Sequence, residues 1–320
     1  MDELRFFSGS GNPELAGKIA EHLGIPVGEM MIQRFLDGEF YVQVNQSVRG
    51  DDVFVLQSAA APVNEHLMEL LIMIDTFKRA SARRVNVVMP YYFYARQDRK
   101  VKPREPVSAK LVANLLTIAG ASRLLTIDLH SGQIMGFFDI PADHLYAGPI
   151  IADYLVKNVP IAEGTVVVSP DVGGVARARA LAEFLSTPLA IIAKRRPAPN
   201  QSEVMEVIGD VSGKIAIVID DLIDTGGSVI AGANELLARG AKEVYVGCTH
   251  AVFSGDASER LLASPIKKII ITDTIPLPEE KRDSKIVVVS VAGLLADAIQ
   301  RIHTEGSVSE LFSQHWKGQS

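Results

Sequence analysis

Nine short runs rich in β-branched and other apolar residues recur along the chain, at 52–58, 84–90, 123–130, 165–171, 189–195, 214–221, 242–250, 267–274 and 285–291. Helical stretches lie between them, such as 62–80, where Leu67, Leu70, Leu71, Ile74 and Phe77 share one face. Strand alternating with helix restricts the chain to the α/β class. The runs are almost continuously apolar, as the strands of a parallel sheet covered on both faces must be. Several stop at a polar or charged residue, namely Ser58, His130, Asp171, Lys194 and Asp221. Ligands of open α/β sheets bind beyond the carboxyl ends of the strands, so these residues are expected to converge on sites.

With 320 residues, 48% of them hydrophobic, the chain can bury two ordinary cores. The Pro- and Gly-containing segment 137–149 is the expected hinge, dividing a domain over 1–145 from one over 146–303 and a tail over 304–320. Acidic residues exceed basic ones by 38 to 32, a formal charge of -6, which argues against a general nucleic-acid or membrane-surface binder. The amino-terminal residues lack the apolar core of a signal peptide, and no run of about 18 apolar residues occurs. Cys248 is the single cysteine and reads as core packing. A soluble cytoplasmic protein is expected.

The most informative stretch is 214–230, KIAIVIDDLIDTGGSVI. Its apolar run reads as a strand ending at Asp220 and Asp221, followed by a turn and a helix closed by Gly240. The Asp-Thr-Gly-Gly-Ser turn then lies at a helix N-terminus, where unpaired N–H groups and the helix dipole favour an anion and glycines permit close approach. Carboxylates beside such a cradle would repel a second phosphate but accept hydrogen bonds from sugar hydroxyls, so a sugar phosphate satisfies both halves. Helix capping by Asp224 or Ser228 beside a solvated acidic loop is the alternative.

Two further stretches are basic. In 91–106, Arg96, Arg99, Lys100, Lys102 and Arg104 follow three tyrosines, as a nucleotide site or a solvated loop would arrange them. In 190–203, Lys194, Arg195 and Arg196 precede a Pro-containing polar run, which reads as a lid over phosphate or as a surface turn. Asp128 and His130, with Asp171, offer ligands suited to Mg2+ held together with phosphate and water, or ordinary hydrogen-bonding groups.

At these residues the sequence resembles the ribose-phosphate diphosphokinases, or phosphoribosyl pyrophosphate synthetases, of the phosphate-activated class. The resemblance runs from RFFSGSGNPELA through RFLDGEFYVQV, YARQDRK, KRRPAPN and DDLIDTGG to GSVSELF. It implies two tandem phosphoribosyltransferase-type domains, usually assembled as hexamers, that transfer the β,γ-diphosphoryl group of ATP to the anomeric hydroxyl of ribose 5-phosphate. By that resemblance Asp224, Thr225, Gly226, Gly227 and Ser228 bind the ribose phosphate, with Asp220 and Asp221 at the sugar hydroxyls. Lys194 and Arg196 are the catalytic cations, Arg196 also touching phosphate. ATP is bound by Arg96 and Gln97 and, from a neighbouring subunit, by Phe35, Asp37, Gly38 and Glu39. Mg2+ lies near His130 and Asp171. Ser47, Arg49, Ser81, Ser307, Ser309 and Phe312 form a regulatory pocket for activating phosphate and inhibitory ADP.

Phe93 stands where the family usually has Gly, which bears on ATP affinity and subunit contact; Leu36, Gly226, Ser228 and the 99–108 loop also depart from the pattern. Two rivals are a phosphoribosyltransferase, which needs neither YARQDRK nor FLDGE, and a non-catalytic subunit, against which the retained Lys194 and Arg196 argue.

Overall fold

The computed structural model describes residues 3–161, 164–195 and 204–313; the side chains of Lys194, Arg195, Val204, Phe312 and Ser313 stand outside that description, as does the whole of Arg196. The chain forms two compact units, one of residues 1–146, 274–276 and 291–308, the other of 147–273, 277–290 and 309–320.

The first unit contains β1 (Leu4–Ser8), α1 (Pro13–Leu23), β2 (Met30–Arg34), β3 (Phe40–Val44), β4 (Asp52–Leu56), α2 (Val63–Arg79), β5 (Arg84–Met89), α3 (Ser108–Ala119), β6 (Arg123–Ile127) and β7 (Ala142–Leu145). Its five-stranded sheet is parallel throughout, in the order β1-β4-β5-β6-β7. Every residue of β4 is buried, as a strand covered on both faces requires. The turn from β1 into α1 is fixed locally: Asn12 accepts the Leu15 N–H, Pro13 opens the helix, and Gly24 closes it with φ of 68°. Buried Glu69 holds the same turn from α2, accepting from Ser10 N (2.7 Å), Ser10 Oγ (2.6 Å) and Gln57 Nε2 (2.8 Å).

The expected face of α2 is partly corrected. Leu70, Ile74 and Phe77 are fully buried, Met73 joins them, and Leu67 and Leu71 are half-buried at the margin. Each fully buried side chain contributes roughly 1.5–3 kcal/mol of apolar burial. β2 and β3 form a separate antiparallel hairpin pairing Met30 with Val44 and Arg34 with Phe40.

The second unit contains α4 (Gly148–Asn158), β8 (Thr165–Ser169), α5 (Val175–Phe184), β9 (Leu189–Arg195), β10 (Val204–Ile208), β11 (Ile215–Ile223), α6 (Gly227–Ala238), β12 (Glu243–Ala251), α7 (Ala257–Ala263), β13 (Lys268–Thr272) and β14 (Ile286–Val289). The seven strands run β10-β9-β8-β11-β12-β13-β14, parallel apart from the β9–β10 hairpin. The two-residue period of β11 divides its side chains between two cores. Ala216 and Val218 pack with Val229, Ala233 and Leu261 from α6 and α7, while Ile217 and Ile219 pack with Ile151, Leu155, Ala178 and Leu181 from α4 and α5.

The division between units departs from a single cut at 145/146. α8 (Ala292–His303), expected in a domain over 146–303, clusters with the first unit, where it packs on α1. His303 Nδ1 lies 3.0 Å from Oδ2 of the fully buried Asp52, whose charge is paired by Arg84 through Nε (3.0 Å) and Nη2 (2.5 Å). A short helix, α9 (Glu310–Ser313), follows.

Candidate active site

β11 continues to Ile223, two residues beyond the expected end at Asp221. Its pairing with β8 stops at Val218, whereas pairing with β12 carries on to Ile223. Asp220 and Asp221 therefore sit inside a strand, just past the point where one neighbour has ended. Arg177 of α5 approaches both, with Nη1 3.5 Å from Asp220 Oδ1 and 3.3 Å from Asp221 Oδ1. The Asp221 N–H donates to Asp220 Oδ1 at 2.9 Å. Burial and the neighbouring Asp221 charge push the Asp220 carboxyl up to about 8, with Arg177 pulling the other way. Cys248, fully buried on β12, has its thiol pushed well up by burial and then by the two aspartates, so it is held as an inert neutral thiol in the core.

The turn after β11 is tight. Gly226 has φ of 73°, a conformation that L side chains rarely adopt, and a Cβ added there would stand 3.1 Å from Leu261 Cγ. Gly226 is also the N-cap of α6, so neither Asp224 nor Ser228 fills that position. The first turn of α6 thus presents backbone N–H groups next to Thr225 and Ser228, both exposed. The structure brings Asp220, Asp221, Asp224, Thr225, Gly226, Gly227 and Ser228 together along one strand, turn and helix. Lys194 lies on β9 with its backbone opposite Met205.

In the first unit, Phe35, Asp37, Gly38 and Glu39 form the tip of the β2–β3 hairpin. Phe35 N donates to Glu39 O (2.8 Å), Glu39 N to Asp37 Oδ1 (3.1 Å), and Gly38 takes φ of 98°. Asp37, Gly38 and Glu39 line a groove of about 600 Å³ with Arg34, Asn64, Glu65 and Met68. That volume suits a small-molecule ligand. Leu36 is fully exposed at the tip.

Arg96 and Gln97 are exposed on the loop after β5. The loop is tied down at both ends: Tyr92 Oη donates to Ala109 O (2.9 Å), Tyr94 Oη donates to Asn64 Oδ1 at the groove, and Ala109 N donates to Gln97 O (3.1 Å). Phe93 is fully buried, so this departure from the family pattern is a core side chain in the subunit itself. Arg99, Lys100, Lys102 and Arg104 are exposed, and Glu105 closes their loop by accepting the Val101 and Lys102 N–H groups at 2.8 Å each.

His130 and Asp171 are exposed at strand ends, His130 in the first unit and Asp171 in the second. Asp171 Oδ1 accepts the Gly174 N–H at 2.8 Å. Among the described residues no three His, Cys, Asp or Glu side chains gather as a metal cage. An exposed carboxylate of this kind fits Mg2+ that completes its shell with phosphate and water.

Of the expected regulatory residues, Ser47, Arg49 and Ser81 are exposed. They belong to adjoining turns, since Gly50 N donates to Ser81 O (2.9 Å) and Arg83 N to Asp51 O (2.9 Å). Ser307 follows α8, its carbonyl accepting from Arg301 Nη1 at 2.8 Å, and Ser309 is exposed in the second unit. Phe312 lies in α9.

Two cations at the site were not singled out in the sequence. Arg177 touches the aspartate pair, and Arg260 of α7 donates from Nη1 to Thr225 O at 3.3 Å. Arg177 stands 44 residues from Asp221 and Arg260 stands 35 from Thr225, and no local pattern marks either.

Comparison with known proteins agrees along the whole chain. Residues 4–120 match the N-terminal domain of ribose phosphate pyrophosphokinase, and 195–313 match the phosphoribosyl synthetase-associated domain. The ribose-phosphate pyrophosphokinase of Fusobacterium nucleatum is 58% identical over 313 residues, covering 98% of this chain and 99% of that one. That of Bacillus caldolyticus is 58% identical over 97% of this chain and 98% of its own. The crystal structure of phosphoribosylpyrophosphate synthetase from Mycobacterium smegmatis superposes with a TM-score of 0.91 at 45% identity, covering 95% of this chain and all of that one. With near-complete coverage at this identity, the chain belongs to the ribose-phosphate pyrophosphokinase family.

Proposed function

We propose that this chain transfers the diphosphoryl group of ATP to the 1-hydroxyl of ribose 5-phosphate, giving 5-phosphoribosyl 1-diphosphate and AMP. The observation that carries the reading is the placement of Asp220 and Asp221 directly before the Asp224–Ser228 turn at the N-terminus of α6. In this reading the turn's N–H groups take the 5-phosphate, and the two carboxylates accept hydrogen bonds from the sugar hydroxyls. They orient the sugar so that its 1-hydroxyl meets the β-phosphorus in line.

ATP is assigned to Arg96 and Gln97, with the Phe35–Glu39 hairpin tip contributed by a neighbouring subunit of a hexamer. Lys194 and Arg196 neutralise charge that grows on the bridging oxygen as the bond to the α-phosphate breaks. Mg2+, when bound with the nucleotide near His130 and Asp171, supplies further neutralisation of the phosphate charge. Inorganic phosphate as activator and ADP as inhibitor are assigned to Ser47, Arg49, Ser81, Ser307, Ser309 and Phe312. A cytoplasmic location belongs to the same proposal; among the described residues no helix is long and apolar enough to cross a membrane.

The test is to incubate the pure protein with ATP, Mg2+ and ribose 5-phosphate and measure AMP. Stoichiometric AMP and 5-phosphoribosyl 1-diphosphate are expected. Absence of AMP, with consumption of added 5-phosphoribosyl 1-diphosphate by a nucleobase, would instead mark a phosphoribosyltransferase.

A further inference from the structure

The sugar-phosphate turn has a charge problem that its own residues do not solve. Asp221 precedes it, Asp224 opens it, and Asp256 and Glu259 stand at the start of α7. A helix N-terminus offers only about half a positive charge against a phosphate dianion. Arg177 is engaged with Asp220 and Asp221. A further cation has to stand at the turn itself.

α7 supplies one. Leu261 packs beneath the turn, close enough that a Cβ on Gly226 would stand 3.1 Å from its Cγ. The preceding residue, Arg260, lies along the turn's backbone: Nη1 donates to Thr225 O at 3.3 Å, and a Cβ on Gly227 would stand 3.6 Å from Nη2. Its contact with Asp256, 3.9 Å at an exposed i,i+4 spacing, is too long and too wet to consume the charge. The side chain is 45% exposed, so one edge of the guanidinium meets the turn and the rest faces solvent.

We infer that Arg260 is a positioning and charge-balancing residue of the ribose 5-phosphate turn. Its donation to the Thr225 carbonyl masks a negative dipole end beside the anion site and fixes the peptide that leads into Gly226. The other donors of the rigid guanidinium fork remain within reach of a phosphate oxygen lying against Gly227. The inference rests on the reading of this turn as the sugar-phosphate cradle.

The experiment compares Arg260→Gln and Arg260→Lys with the parent enzyme by steady-state kinetics in both substrates and by thermal melting. Arg260→Gln should raise KM for ribose 5-phosphate about tenfold, the loss of one charge-assisted contact. Its kcat and its KM for ATP should stay within about twofold, because the contact is to a group remote from the reacting atoms. Arg260→Lys should recover part of the lost affinity, since it restores the charge without the fork. An unchanged KM for ribose 5-phosphate in Arg260→Gln overturns the inference. So does a rise shared equally by both substrates, or a lysine variant as impaired as glutamine with the same lowered melting temperature, either of which marks Arg260 as a structural contact alone. Asp224→Ala, measured alongside, separates the two levels: a raised KM there with a normal Arg260→Gln sinks only the role of Arg260, whereas a normal KM in Asp224→Ala sinks the cradle reading and this inference with it.

Discussion

The two units place their candidate ligand groups in opposite ways. In the second, the sugar-phosphate residues follow one another through a single strand, turn and helix, from Asp220 to Ser228. In the first, the nucleotide residues are scattered between a hairpin tip, Phe35–Glu39, and a loop, Arg96–Gln97, that is held by contacts to α2 and α3. A contiguous cradle is shaped by its own backbone; one proposed to combine a loop with a neighbouring subunit's hairpin tip depends on the packing that holds each piece in place. Substitutions should therefore separate cleanly: core changes in the first unit should harm stability and nucleotide use together, and turn changes in the second should harm sugar affinity alone.

The largest expected effect lies in the first unit. Phe93 is fully buried at the base of the nucleotide loop. Phe93→Ala should cost about 3–5 kcal/mol of stability through the cavity it leaves. A denaturation curve measures this, and KM for ATP should rise at temperatures where the parent is still folded. Loss of stability with unaltered ATP kinetics would show that the loop is held independently of the core beneath it.

Next comes Lys194. A cation that acts on charge developing at the bridging oxygen contributes in the transition state, so Lys194→Ala should lower kcat by about 10²–10³. Ribose 5-phosphate binding, measured by calorimetry, should persist. Near-normal turnover with lost sugar affinity would move Lys194 from the chemistry to the cradle.

A smaller effect is expected at the turn. Asp224→Ala should raise KM for ribose 5-phosphate about tenfold while kcat falls much less, since in the proposed reading the turn binds a phosphate that is the same in ground and transition states.

The same contrast explains what the sequence disclosed. β9 spans the expected 189–195, and the α6 turn was legible from five consecutive residues, because continuous apolar runs and glycine turns report on local backbone physics. The β2–β3 hairpin lies outside the nine apolar runs: β2 has only three apolar residues, Met30–Ile32, before the exposed Gln33 and Arg34, and β3 alternates half-buried Phe40, Val42 and Val44 with exposed Tyr41 and Gln43, so neither strand is continuously apolar. The extension of β11 through Leu222 and Ile223 is not legible because charge normally ends a buried strand, whereas here β12 continues as partner after β8 has stopped. Burial of Phe93 and the approach of Arg177 to the carboxylates are tertiary facts with no short-range signature.

The smallest effect concerns the two carboxylates and sharpens the comparison without any ligand. Asp220 has its proton affinity raised to about 8 by burial and by Asp221, against an ordinary value near 4 in the unfolded chain. Between those values the folded state binds the extra proton, so unfolding becomes easier as pH rises, and the cost is complete above the folded value. Asparagine at this position has no charge to bury. Ligand-free Asp220→Asn should therefore melt higher than the parent, by about 2–4 °C at pH 9 for a modest gain in a unit of this size, and by less at pH 5. Sugar affinity should fall in the same variant, because an acceptor for the sugar hydroxyls is weakened. Melting temperatures that differ equally at both pH values would mean that Arg177 fully compensates the pair, and that the second unit, like the first, is held chiefly by its packing.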